Sequence, residues 1–179
     1  LLTGDVREVS AQRGLFTAWC DAKGRAIASF WVIQWGETFH LILPRERVEA
    51  VISGMSRFIL RSKLSLGDVS DQVTLTGWAG PGVANTLAAR GCELPSEPNQ
   101  CLPLETGVIM RIPGDPHPRW LLLGQSEYLN LTDYPQASTT DWKRMDIEAG
   151  IPLIVNETTG EFIPQMLNLE SLGGICFTK

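Results

Sequence analysis

The sequence predicts an α+β fold with largely antiparallel sheets, on three observations. Strand-like and helix-like stretches mix along the chain without the regular alternation that builds a doubly wound parallel sheet. Two apolar stretches, Leu15–Cys20 and Ala26–Trp35, flank the turn-forming Asp21-Ala22-Lys23-Gly24 and read as a hairpin, with glycine where a positive φ is tolerated. The 179 residues, 44% of them hydrophobic, suffice for one large or two small domains.

Taken in order, residues 38–43 read as a further strand, with Phe39, Leu41 and Leu43 alternating. Pro44 fits a first helical turn, and Val48, Val51, Ile52, Met55 and Ile59 then recur at helical spacing opposite Arg45, Glu46 and Glu49. Residues 73–79 form the next strand, and a short helix entered at Pro81 reaches Ala89 and stops at Gly91. Gly77-Trp78-Ala79-Gly80-Pro81-Gly82 matches no phosphate-binding loop, so its glycines have a structural use. Residues 93–103 read as a polar loop. Strands at 105–112 and 120–123 follow, joined by the breaker-rich Pro113-Gly114-Asp115-Pro116-His117-Pro118.

The last helix opens with Thr139 and Thr140 as capping residues and Asp141 in its first turn; Gly150 and Pro152 supply the stop. Trp142, Met145 and Ala149 share one face. Glu148 breaks the local rule, because a carboxylate in the last turn opposes the helix dipole by roughly 0.3–1 kcal/mol. It is either solvated or has a partner.

A net charge of −5 gives no support for a strong electrostatic grip on nucleic acid. Arg57, Arg61 and Lys63 gather modestly and read as a solvated helix end. No apolar run approaches the ~20 residues of a membrane span, and no signal pattern opens the chain. Leu1 is not a natural start, so the beginning is expected to be missing. Cys20, Cys92, Cys101 and Cys176 lack metal or CxxC spacing and suit the reduced thiols of a cytoplasmic protein. His40 and His117 read as structural and loop residues. No catalytic residue and no metal site is assigned.

Ile147-Glu148-Ala149-Gly150-Ile151-Pro152, Phe162-Ile163-Pro164-Gln165-Met166-Leu167-Asn168-Leu169 and Leu172-Gly173-Gly174-Ile175-Cys176-Phe177-Thr178-Lys179 follow one another without a gap in register. This run resembles the folate-binding proteins of the YgfZ type, cousins of the glycine-cleavage T-protein (aminomethyltransferase). In that family IEAGxPxI and FIPQxxNLxxLGGIxFxK stand at the same spacing and lead into GCYxGQE, which would begin after Lys179. Leu2-Thr3-Gly4-Asp5-Val6 and Cys20-Asp21-Ala22-Lys23-Gly24-Arg25 likewise resemble the family's QxTxDV and CDxKGR segments.

The resemblance implies a T-protein-like folate-binding fold. Residues 1–35 and 136–179 would build one discontinuous domain, with a ferredoxin-like domain inserted at 36–135 and a barrel-like domain, absent from this chain, after Lys179. The implied cofactor is tetrahydrofolate or a derivative. Trp142 corresponds to a position that walls the pterin, Glu148 to a carboxylate that accepts from its N–H groups, and Lys179 to the lysine that activates the family's cysteine. The implied role is support of iron–sulfur enzymes and tRNA modification in the cytoplasm, with iron–sulfur proteins as partners and no strong direct nucleic-acid binding. An aminomethyltransferase and a protein-interaction module without folate are the alternatives. Aligning on Gly24 puts Ala28 and Ser29 where the T-protein has two aspartates, which argues against the first.

Overall fold

The computed structural model describes residues 1–61, 63–89, 91–114, 117–124 and 135–178. The predicted hairpin forms: β1 (Leu15–Cys20) pairs antiparallel with β2 (Ala26–Trp35), and β3 (Thr38–Ile42) completes a three-stranded meander. A second sheet holds β4 (Thr74–Ala79), β5 (Cys101–Leu104), β6 (Gly107–Ile112) and β7 (Arg119–Gly124) in the order β4-β7-β6-β5, again antiparallel throughout. Among the described residues three α-helices accompany the sheets: α1 (Val48–Ser56), α2 (Pro81–Ala89) and α3 (Thr139–Glu148). The fold is α+β. Among the described residues no helix is long and apolar enough to cross a membrane.

The period-two geometry of the strands sorts their side chains into three cores. Phe16, Ala18, Trp31 and Ile33 from the meander meet Val108, Met110, Ile112, Leu121 and Leu123 from the second sheet in one central cluster, with Ile151, Ile154, Leu169 and Leu172. The sheet carried by the segment 36–135 thus contributes to a core shared with the chain's two ends. Leu15, Trp19, Phe30 and Val32 point the other way and pack with Val51 of α1. Trp78, Ile109, Trp120 and Leu122 do the same with Leu87 of α2. β1 is consequently buried on both faces, as is β7.

Three expectations need correction. Residues 93–103 are not all loop, because Cys101–Leu104 forms β5, and Glu105-Thr106 is the turn of a hairpin rather than the start of β6. Pro103 obscured that strand in the sequence. It is tolerated because β5 lies at the sheet edge, where one side needs no backbone donor. The helix after Pro44 ends at Ser56, short of Ile59, and gives way to turns in which Phe58 and Ile59 donate to the carbonyls of Met55 and Ser56. The cap of α3 is Ser138: its hydroxyl accepts from Asp141 N at 3.1 Å, and the Asp141 carboxylate accepts from Ser138 N at 3.1 Å. That reciprocal box satisfies two helix-end donors, which no pairing from Thr139 or Thr140 achieves. At the other end Gly150 stops the helix with φ +65.

Helix α3 docks on the inner face of the second sheet through Trp142, Asp146 and Ala149. A Cβ at Gly77 would stand 2.5 Å from the Trp142 ring, so the indole lies directly on bare β4 backbone. The Arg119 guanidinium sits 5.1 Å from the centre of the same ring and donates to Asp146 at 2.7 Å, while its other nitrogens reach the Pro113 carbonyl at 2.8 and 3.2 Å. Arg119 is 1% exposed. Burial pushes the Asp146 carboxyl above its usual range, against the lowering exerted by Arg119.

Removing one partner of a buried ion pair leaves an uncompensated charge, which costs about 3–5 kcal/mol. Asp146→Ala should therefore lower the urea-unfolding free energy by that amount. The double change Arg119→Met with Asp146→Leu should recover most of it. Asp146→Ala with wild-type stability would show that the pair is solvated.

Candidate functional site

The two ends of the chain are sewn together around β1 and β2. Leu1 and Thr3 pair with the last residues of β1: Thr3 N donates to the Ala18 carbonyl and Cys20 N to the Leu1 carbonyl, both at 2.9 Å. Cys176 N then donates to the Thr3 carbonyl at 2.9 Å, which brings the C-terminal segment alongside. The buried Thr17 hydroxyl accepts from Gly4 N at 2.9 Å, and the Thr3 hydroxyl donates to the Gly174 carbonyl at 2.6 Å. Farther along, Ala26 N donates to the Phe162 carbonyl at 2.8 Å and Gly160 N to the Ala26 carbonyl at 2.9 Å. The strand register shifts between Trp19 and Cys20, an irregularity that re-aims the chain as it enters the Asp21–Gly24 turn.

These contacts border an open surface concavity of about 730 Å³. Its walls come from Leu1, Leu2 and Thr3, from Trp19 through Gly24, from Ile163, Pro164 and Gln165, from Ile175 and Cys176, and from Phe58. The CDAKG, FIPQ and IC segments, scattered over the sequence, thus face one space. That space is mainly apolar, with Thr3, Asp21, Lys23 and Gln165 as polar groups. Asp21 is partly committed: its Oδ1 accepts from the backbone of Lys23 at 2.8 Å and Arg25 at 2.9 Å.

Trp142 and Glu148 do not line this concavity. Trp142 is half-buried between Gly77 and Arg119, as described. Glu148 is exposed, and its carboxylate stands 3.9 Å from Arg144 on the preceding turn, a surface pair worth 0–1 kcal/mol at most. Of the two expectations for Glu148 the structure shows the solvated one, with Arg144 as a weak surface neighbour. Lys179 lies outside the described residues. Ala28 is buried in the core beside α1. Ser29 is fully buried; its hydroxyl donates to the Pro152 carbonyl at 2.8 Å and accepts from Ile154 N at 3.0 Å. Sequence reasoning passed over Arg119 and Asp146. Their signal was a charge in the buried phase of an apolar pattern, Arg119 before Trp-Leu-Leu-Leu and Asp146 one turn after Trp142.

The four cysteines are free thiols, two of them buried. Cys101, between the sheets, has its thiol pushed up to about 11 by burial. Cys176 lies half-buried on the concavity wall. Among the described residues no group of three or more His, Cys, Asp or Glu side chains could hold a metal ion.

No family model matches the chain. The chain is similar to the tRNA-modifying protein YgfZ of Pectobacterium carotovorum subsp. carotovorum (strain PC1), with 31% identity over 184 aligned positions. The alignment covers 99% of this chain and 55% of that protein, so the chain spans about half the length of the curated relative it matches.

Thiol chemistry separates the buried from the accessible cysteines. At pH 8 a thiol with a pKa near 11 is about 0.1% thiolate, and the thiolate is the reactive form. Iodoacetamide should therefore leave Cys101 unmodified in the native protein and alkylate it in urea, while Cys176 reacts in both. Mass-spectrometric mapping reads the result, and native labelling at Cys101 would place that thiol at the surface.

Proposed function

The chain belongs to the YgfZ-type family, and from that premise we propose that it binds a tetrahydrofolate and supports tRNA modification, acting beside iron–sulfur enzymes in the cytoplasm. The observation that carries this reading is the likeness to a tRNA-modifying relative along 99% of the chain. On this reading Trp142 offers the accessible part of its indole to the flat pterin. Glu148, held only by a 3.9 Å surface contact with Arg144, accepts from the pterin's amino and ring N–H groups. Their Cβ directions differ by about 120°, so they line adjacent walls rather than grip one atom. Lys179 belongs with the sulfur chemistry of the family's cysteine motif.

Folate-dependent transfer of an aminomethyl group is the weaker reading. Ala28 carries no ionisable group, and the Ser29 hydroxyl is fully used in holding the backbone at Pro152 and Ile154. Neither position can supply the carboxylate that orients and activates a folate nitrogen.

Calorimetric titration of tetrahydrofolate tests the proposal. Stacking on an aromatic wall is worth about 0.5–1.5 kcal/mol beyond area burial. With the contact area lost as well, Trp142→Ala should weaken binding about tenfold or more. Trp142→Phe should keep much of the affinity, and Glu148→Gln should reduce it. Circular dichroism controls for folding, since Trp142 also packs on Gly77. Equal affinity in all folded variants would remove Trp142 and Glu148 from the site. Absence of binding by the wild type would remove the folate reading itself.

A further inference from the structure

In the sequence, Arg57, Arg61 and Lys63 read as the solvated end of a helix. The structure takes that helix away: α1 stops at Ser56, and the chain continues in turns. Along this stretch Arg57, Arg61 and Lys63 are exposed, and so are Phe58 at 55% and Leu60 at 86%. Among the described residues none of the three cations takes part in an ion pair. The next carboxylate along the chain is Asp68. A solvated loop has no use for an aromatic ring facing water between unpaired cations. Phe58 also lines the concavity of about 730 Å³, as does Lys23 on the hairpin turn.

We propose that this rim is a contact surface for single-stranded RNA. Arg57, Arg61, Lys63 and Lys23 neutralise phosphates, and a base stacks on Phe58 at the mouth of the concavity. The alternation of cations with an exposed ring is the pattern that binds single strands, whose unstacked bases offer π-faces that a duplex hides. A membrane surface fits less well, because interfacial binding relies on an apolar helix face and this stretch is not helical. The overall charge of −5 does not oppose the contact, since screening over about 8–10 Å leaves a local basic rim attractive at close range. The inference goes beyond the folate reading and does not rest on it.

The test is fluorescence anisotropy of a labelled single-stranded oligoribonucleotide titrated with the whole chain at several ionic strengths. The wild type should bind with a salt-dependent affinity, and duplex RNA of the same length should bind more weakly. Each phosphate neutralised on a single strand contributes about −0.7 to the slope of log K against log salt. The triple variant Arg57→Gln, Arg61→Gln, Lys63→Gln should therefore flatten that slope by about 2. Phe58→Ala should weaken binding about fivefold or more and leave the slope unchanged, because stacking releases no counterions. All four side chains are exposed, so the variants should fold as the wild type does. Any one of three results would overturn the inference: no binding by the wild type at low ionic strength, equal binding by the wild type and both variants, or phosphatidylserine vesicles captured as tightly as RNA with the same losses on substitution. Tetrahydrofolate titrated into the same variants keeps the two readings apart: the folate site predicts no change from Phe58→Ala, and RNA binding predicts none from Trp142→Phe.

Discussion

A hairpin buried on both faces sets the terms for the rest of this structure. β1 and β2 lie between α1 on one side and the central core on the other, so any polar side chain within them must find its partner inside the protein. Thr17 and Ser29 are such side chains, each fully buried. Thr17 takes the backbone N–H of Gly4, and Ser29 bridges Pro152 and Ile154. Two hydroxyls in a central hairpin thereby fix where the N-terminal residues and the segment after α3 must run. An apolar hairpin of equal volume would bury as well but would leave those segments without an address.

The concavity is a consequence of that stitching. Its walls belong to pieces of chain from opposite ends of the sequence, held together by backbone hydrogen bonds from Leu1, Thr3, Ala26 and Cys176. Backbone pairing of this kind places a wall to within a fraction of an ångström while leaving its side chains free to differ. The apolar lining and the few polar groups at the turn are then local choices on a fixed frame. Phe58 joins the frame from outside the hairpin, because α1 packs on Trp19 through Gly54, where no side chain intervenes.

The second sheet is tied in by a different means. Arg119 enters a strand that is otherwise apolar, and its charge is answered by Asp146 from α3 and by the Pro113 carbonyl. Such a pair adds little net stability, since desolvation offsets attraction, but it specifies one docking geometry for α3. Trp142 is placed by that geometry, between the guanidinium and the bare backbone of Gly77. The tryptophan therefore has a structural job.

Much was legible in the sequence because it depends on neighbours a few residues away. The hairpin at Asp21–Gly24, the α+β class, the shared face of Trp142 and Ala149 on α3, and the stop at Gly150 all follow from turn chemistry and periodicity. So does the odd placement of Glu148, which is exposed to solvent. The family motifs were legible as words but not as a place. β5 was hidden because Pro103 vetoes a central strand, and only the sheet order makes it an edge. The end of α1 was misplaced because the spacing of Ile59 continues a helical period that the chain abandons at Ser56. Arg119 and Asp146 were invisible as a pair because they are 27 residues apart and each looks like an error alone. The convergence of CDAKG, FIPQ and IC on one concavity, and the place of Phe58 on its wall, were decided by tertiary structure. Periodicity tells a residue which face it shares with its own element, and only packing between elements, driven by burial and by the need to satisfy buried polar groups, decides what that face meets.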